Sequence, residues 1–112
     1  EEPQILMIDE EEKLDIDLFS SKVEELFETQ IRFRGKDYFE NNMIHSCIQK
    51  ENKYLAYVQG TEFGKEYEVE IEMDGTMIRN MKCNCPYTRN CKHEYALILW
   101  LKKKGNYEQY NI

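Results

Sequence analysis

The feature that most constrains this chain is a cluster of three cysteines and one histidine within the eleven residues 83–93. The candidate ligands are Cys83, Cys85, Cys91 and His93. Three thiolates and one imidazole complete a tetrahedral Zn²⁺ and leave no coordination position for water or substrate. A closed site of this kind holds a fold together, so the sequence predicts one structural Zn²⁺ as the cofactor.

The spacing of these ligands predicts a strand that ends at the metal and a helix that begins there. Cys83 and Cys85 are two residues apart and share one face of an extended strand, and Pro86 cannot continue the ladder. On a helix, residues two apart point in nearly opposite directions. Cys91 must therefore lie at the entrance of the helix, with Asn90 as the predicted N-cap.

Four cysteines also admit disulfides. Cys83 and Cys85 are too close in sequence to pair comfortably, while Cys47 stands alone far upstream, so we favour a metal site. Cys47 is interpreted as a small apolar residue of a strand, with His45 as its solvent-facing neighbour. Reduced cysteines are typical of a cytoplasmic, intracellular protein.

The length of 112 residues predicts one domain with short accessory segments. We divide it into an acidic N-terminal arm (1–16), a helical segment (17–42), a sheet with the zinc unit (43–105), and a tail or linker start (106–112). No apolar run approaches the roughly 20 residues that cross a bilayer. The chain begins with Glu1 rather than Met, so we expect a piece of a longer protein.

Charge is distributed unevenly along the chain. The net charge is −7, yet residues 79–104 contain seven basic side chains and one acidic one. This segment is either a contact surface for a protein partner or DNA, or a solvated helix end. The acidic arm is either a flexible solvated segment or one that lies on the basic segment. The candidate contact residues are Arg79, Lys82, Arg89, Lys92, Lys102, Lys103 and Lys104.

The predicted fold class is α+β, with N-terminal helices, a four-stranded antiparallel meander and a C-terminal helix joined to the last strand by the zinc knuckle. Asp17 or Ser20 caps the first helix, and a second helix within 31–42 buries Tyr38 and Phe39. The last helix begins near Asn90 and ends before Gly105, as glycine commonly follows a helix. The predicted strands are 43–49, 54–59, 66–73 and 76 to about 83.

The strand 66–73 alternates strictly, with Tyr67 and Val69 on the apolar face and four glutamates on the other. A two-residue turn at Asp74-Gly75 would place Cys83 on the same face as Glu68, away from Tyr67. The sequence leaves three solutions open: a longer turn, a bulge, or a zinc ion at the edge of the sheet.

The metal motif resembles the SWIM zinc finger. It reads Cys-x-Cys-Pro, five residues between the second and third ligands, then Cys-Lys-His-x-x-Ala. The flanking Arg34-Gly35-Lys36-x-Tyr38-Phe39 and Tyr67-x-Val69-x-Ile71 agree with the resemblance, which covers roughly 31–103. It implies a ββα-like metal unit that binds proteins or DNA.

In bacteria, units of this family resemble N-terminal accessory segments of Swi/Snf-type helicases or stand in small uncharacterised proteins. The resemblance therefore implies a protein-binding accessory module, with DNA binding through the basic surface as the alternative. The partner is then a protein or a covalently linked helicase domain.

Catalysis, a small-molecule substrate and a membrane are not expected. His93 lacks the second histidine of a metalloprotease helix, and there is neither a deaminase Pro-Cys-x-x-Cys motif nor a phosphate-binding glycine loop.

Overall fold

The computed structural model of the chain describes residues 15–60, 64–86 and 90–110, with side chains up to residue 104. All but the last two residues of the predicted acidic arm lie outside the described residues. No helix among the described residues is long and apolar enough to span a membrane.

The described chain has the predicted α+β architecture, with one antiparallel sheet and two α-helices. From one edge of the sheet to the other, the strands are Ile16–Asp17, Met77–Cys83, Glu66–Asp74, Lys53–Gln59 and Ile44–Lys50, so the four long strands form neighbouring pairs in chain order. The prediction of four strands is corrected to five, because a two-residue strand leaves no periodicity in the sequence. The elements are β1 (Ile16–Asp17), a 3₁₀ helix (Ser21–Leu26), α1 (Thr29–Glu40), β2 (Ile44–Lys50), β3 (Lys53–Gln59), β4 (Glu66–Asp74), β5 (Met77–Cys83) and α2 (Lys92–Tyr110).

The N-terminal helical segment differs from the prediction in detail. Ser20 is the N-cap and its hydroxyl accepts a hydrogen bond from the Lys22 amide at 3.0 Å, but the helix that follows is a 3₁₀ helix. Tyr38 and Phe39 of α1 are only half-buried, so the prediction that both are buried is wrong. The reason is that α1 packs mainly against α2, as an outer layer, and not on the sheet.

The core lies between the sheet and α2. Val69 and Ile71 of β4 are fully buried beneath Leu97 and Ile98 of α2, which confirms the apolar face predicted from alternation. Each such aliphatic side chain stabilises the fold by about 1.5–3 kcal/mol. The opposite face of the sheet carries the glutamates of β4 and is not covered by α2.

A β-bulge sets the face on which the first ligand lies. At the hairpin Asp74 pairs with Met77, but the register then shifts so that Arg79 is an extra residue in β5. Beyond the bulge Cys83 pairs with Val69, which places it on the buried face. A bulge adds one residue to one strand and so reverses the alternation beyond it. Of the three solutions left open by the sequence, the bulge is the one adopted.

The predicted end of the last helix is wrong, because α2 continues through Gly105 to Tyr110. Glycine inside a helix costs only about 1 kcal/mol relative to alanine. That cost is small beside the hydrogen bonds and packing of a helix already formed over three turns, so one glycine does not end it.

Candidate metal centre

The four predicted ligands converge where β5 ends and α2 begins. Their ligand atoms all lie within 4.8 Å of one another. Nδ1 of His93 is 3.8 Å from Sγ of Cys83 and 3.7 Å from Sγ of Cys91. A tetrahedral Zn²⁺ with sulfur at about 2.3 Å and nitrogen at about 2.0 Å separates these atoms by about 3.5 Å. The cluster therefore has the dimensions of a single metal site.

Burial sets this cluster apart from ordinary surface cysteines. Cys85, Cys91 and His93 expose 6%, 1% and 4% of their surface, and Cys83 is half-buried. All four cysteines of the chain are free thiols, so the disulfide alternative is not adopted. Three thiols and an imidazole gathered in the interior are a donor set for a thiophilic metal.

The strand side of the centre is extended by Asn84. The side-chain oxygen of Asn84 accepts a hydrogen bond from the backbone N–H of Glu68 at 2.9 Å. The backbone N–H of Asn84 donates to the backbone carbonyl of Glu68 at 3.2 Å. Asn84 thereby continues the β5–β4 ladder one residue beyond Cys83. Because residues two apart in an extended chain share a face, Cys85 returns to the side of Cys83.

The helix side is capped by Cys91, and the prediction that Asn90 is the N-cap is wrong. Asn90 has a φ of 55°, in the left-handed region, whereas an N-cap residue is extended. The carbonyl of Cys91 accepts the first helical hydrogen bond, from Tyr95, at 3.1 Å, and its sulfur accepts one from the Glu94 amide at 3.4 Å. One sulfur thus caps the helix and faces the cluster.

Glu94 completes this cap from within the helix. Its Oε1 accepts hydrogen bonds from the amides of Asn90 at 2.7 Å and Cys91 at 3.4 Å, and its side chain is fully buried. The reciprocal bonds between Cys91 and Glu94 form a capping box in which a thiol replaces the usual hydroxyl. Sequence analysis missed Glu94, although an acidic residue three positions after a cap is its recognisable signal.

The protein surroundings of Cys91 and His93 favour the neutral forms of both side chains. The pKa of the Cys91 thiol is raised well above its ordinary range, by its hydrogen bond with Cys83 and by burial and the nearby Glu94. The pKa of His93 is lowered to about 4, by burial and then by Lys92. A divalent cation reverses the preference for thiols, because its charge stabilises thiolates. Metal binding then releases protons and becomes pH-dependent.

Two tyrosines hold the ring of His93. The centre of the Tyr67 ring lies 4.8 Å from the centre of the imidazole, with the two rings tilted. The centre of the Tyr38 ring lies 5.4 Å away, in an edge-on arrangement. Nδ1 faces the sulfurs, while Nε2 is buried without a hydrogen-bond partner among the described residues. Aromatic packing, rather than a carboxylate, therefore fixes the orientation of the imidazole.

A cleft of about 260 Å³ opens beside the cluster. Arg34 and Lys92 lie on its wall with Tyr67 and Pro86, and Cys85, Cys91 and His93 form its floor. The cleft is thus lined by three of the four predicted ligands.

The predicted basic contact residues that the structure describes do not form one patch. Arg79 lies at the bulge of β5, bonded to Asp15 at 2.8 Å and near Asp74 at 3.4 Å. Lys82 lies on the face of the sheet that α2 does not cover, and its ammonium is 4.0 Å from the Glu70 carboxylate. These two cations belong to the strand surface and are accompanied by carboxylates.

The basic residues of α2 have different surroundings. Lys102 is paired with Glu24 at 2.8 Å in a partly buried position, and Lys92 lies over the ring of Tyr38 at 4.8 Å. Lys103 and Lys104 line a separate groove near the C-terminal half of α2. Arg89 lies outside the described residues.

Cys47 and His45 are remote from the metal centre, as the sequence indicated. Cys47 is half-buried on β2. His45 is exposed, and its ring nitrogens contact Glu66 at 2.6 Å and Gln59 at 3.2 Å. The hydrogen bond to Glu66 raises the pKa of His45 above its ordinary value.

Comparison with known proteins finds a relative without an assigned role. An uncharacterised protein of Methanocaldococcus jannaschii is 36% identical over 72 residues, which are 64% of this chain and 29% of that protein. The chain thus matches less than a third of that relative's length. No protein-family model and no solved structure matches the chain. The function must therefore be argued from the cluster itself.

Proposed function

We propose that the chain is a SWIM-type interaction module folded around one structural Zn²⁺. The observation that carries this proposal is the convergence of Cys83, Cys85, Cys91 and His93 within 4.8 Å. The proposal draws on the SWIM-like ligand spacing in the sequence and on the geometry of a strand end facing a helix start.

The choice of zinc follows from the donor set. Three sulfurs and one imidazole nitrogen suit a tetrahedral, borderline-soft ion without redox chemistry. Hard cations such as Mg²⁺ and Ca²⁺ take oxygen ligands instead. The distances between Nδ1 of His93 and two of the sulfurs, 3.7 and 3.8 Å, suit a tetrahedron of this size.

A structural role follows from the number of protein ligands. A catalytic Zn²⁺ keeps one position for water or substrate, whereas four protein ligands fill the tetrahedron. The bound ion would join β5 to α2, two elements linked by a segment of only eight residues, 84–91. Because such a site does not exist in the unfolded chain, the free energy of zinc binding adds directly to the free energy of folding.

The module is proposed to serve a larger protein as a protein-binding accessory segment. Since 72 residues are 29% of the Methanocaldococcus jannaschii relative, that protein has about 250 residues, with room for a further domain of ordinary size. A Swi/Snf-type helicase is the parent that the family resemblance implies. A relative of about 250 residues lends no support to that particular parent.

The proposal is tested by metal analysis of the chain purified without added metal. We expect one equivalent of zinc, and we expect Co²⁺ to replace it with the visible bands of tetrahedral cobalt and thiolate charge transfer. Octahedral cobalt spectra, or a folded protein free of metal, would contradict the proposal.

A further inference from the structure

A second surface lies away from the metal, between the end of α1, the start of β2 and the C-terminal half of α2. It is a groove of about 550 Å³. Phe39, Ile44 and Trp100 form its apolar wall. The remaining lining residues are polar or charged: Glu40, Asn42, Lys103 and Lys104.

The groove runs beside the edge of the sheet. β2 is the outermost strand, and among the described residues it pairs only with β3. The other edge of such a strand presents backbone N–H and C=O groups that accept a further strand. The strand carries no acidic side chain, and Ile48 is 55% exposed.

The inner face of β2 connects the edge to the groove. Ile44 pairs with Val58 and Cys47 with Ala56, so both side chains face the helices. Burial raises the pKa of the Cys47 thiol, and the charge of nearby Lys104 partly offsets this. The ammonium of Lys104 also lies 5.8 Å from the centre of the Tyr54 ring of β3, on the same side of the sheet as Cys47. A strand added to β2 would direct every second side chain into the groove.

The charge of the groove selects the occupant. The ammonium of Lys103 lies 5.8 Å from the centre of the Phe39 ring, and that of Lys104 lies 5.8 Å from the Trp100 ring. Among the described residues that line the groove, Glu40 is the acidic one, and it lies 4.0 Å from Lys36. Two cations above an apolar wall are complementary to a segment with alternating apolar and acidic side chains.

We propose that the edge of β2 and this groove together dock an extended acidic segment of a partner protein by strand addition. Backbone hydrogen bonds to β2 supply the affinity, and the apolar wall with Lys103 and Lys104 supplies the selection of sequence. This assignment rests on the proposed interaction role. It does not depend on the identity of the metal.

Nucleic acid is the less suitable occupant of the same groove. Phosphate neutralisation dominates such binding, while the chain carries a net charge of −7. Oligonucleotide binding is therefore an outcome that opposes the proposal.

The test uses the zinc-loaded chain and a fluorescent, end-capped peptide in which valine and glutamate alternate. We expect saturable binding that Lys103→Glu weakens by roughly tenfold. Glu40→Gln should strengthen binding by about twofold, because it removes the acidic lining residue. Hydrogen exchange should slow at those amides of Ile44–Lys50 that do not bond to β3.

The matched control is Lys82→Glu, which changes the net charge equally but lies on the opposite face of the sheet. It should leave peptide affinity within about twofold. A peptide with proline at its centre should bind weakly, because proline lacks the donor that strand addition needs.

Zinc content and thermal unfolding are measured on the same samples, so failure of the metal proposal is recognised separately. Absence of peptide binding by a folded, zinc-loaded chain overturns the docking site. Equal losses for Lys103→Glu and Lys82→Glu overturn it as well. Preference for a single-stranded oligonucleotide, or self-association through β2 without peptide, assigns the surface to another occupant.

Discussion

The two histidines of this chain lie in regions of opposite character. His93, at the junction of β5 and α2, is 4% exposed, and burial lowers its pKa to about 4. His45, at the edge of the sheet, is exposed, and its hydrogen bond to Glu66 raises its pKa. The first environment suppresses the charged imidazole, and the second favours it.

The difference shows what each region needs in order to be stable. At the edge, the ring nitrogens of the exposed His45 contact Glu66 and Gln59. The junction gathers three thiols and an imidazole whose Nδ1 faces the sulfurs of Cys83 and Cys91. Buried polar groups of this kind are costly without compensation, and a metal ion is the compensation that the donor set suits.

Removal of the metal is expected to have the largest effect and would break the comparison most directly. Structural zinc sites have apparent binding free energies of about 10–16 kcal/mol, comparable to the whole stability of a domain, about 5–15 kcal/mol. A strong chelator should therefore abolish or greatly lower the melting transition followed by circular dichroism. Unchanged melting of a protein shown to be metal-free would contradict a structural metal.

Loss of one ligand is expected to come next. Cys91→Ala removes a thiolate and the helix cap together, so zinc affinity should fall by more than about 100-fold. Cys47→Ala is the matched control, since it removes a half-buried thiol remote from the cluster. The control should retain one equivalent of zinc in a competition titration. Equal zinc loss in both variants would remove the distinction between the two cysteines.

Glu94→Ala tests whether the cap supports the junction. The change removes the acceptor for the amides of Asn90 and Cys91, and charged hydrogen bonds of this kind contribute about 1.5–3 kcal/mol. We expect a loss of about 2 kcal/mol in the free energy of unfolding, measured with denaturant. Glu94→Gln retains an acceptor and should recover part of this loss; no recovery would argue against capping.

Gly35→Ala tests the packing of α1 against α2 at the same junction. A Cβ at Gly35 would lie 2.9 Å from Cβ of Tyr95 and 3.0 Å from the carbonyl of Lys92. The helices must separate, at a cost of about 1–3 kcal/mol for overpacking. Gln30→Ala on the exposed surface of α1 controls for helix propensity. Equal stability of the two variants in denaturant would show that the helices are not tightly packed.

The smallest expected effect concerns His45 and pH. Because its pKa is raised in the folded state, protonated His45 stabilises the fold below its unfolded pKa of about 6.5. This contribution is lost as the pH rises through the higher folded pKa. An NMR titration of the zinc-loaded chain should place the midpoint of His45 above that of a Glu66→Gln variant. His93 should not titrate until zinc is released. If His45 and His93 titrated with the same midpoint, the two histidines would not lie in environments of opposite character.

Much of the centre could be predicted from sequence, because its determinants are local. The types and spacing of the four ligands are fixed by covalent order, and the alternation of β4 follows from the two-residue period of a strand. The hairpin and the four long strands follow from the same signals. The short β1 and the 3₁₀ character of the first helix do not, since both depend on contacts outside their own few residues.

The end of α2 shows the limit of local signals. A glycine after a basic run is a common helix end, yet α2 continues through Gly105. One glycine costs about 1 kcal/mol, and the hydrogen bonds and packing of the rest of the helix stabilise it by more than this. The dispersal of the basic residues is a similar case, because order along the chain does not reveal that Lys82 and Lys103 lie on opposite sides of the sheet.

The sequence by itself identified the cluster of three cysteines and one histidine and the α+β composition, since each depends on residue types at short separations. Only the tertiary structure decided how Cys83 reaches the buried face. The bulge at Arg79 places Cys83 on the buried face, whereas simple alternation would place it on the opposite face. The sequence alone does not reveal this, because register depends on pairing between strands. Tertiary structure likewise assembled the groove beside β2, where side chains distant in sequence meet.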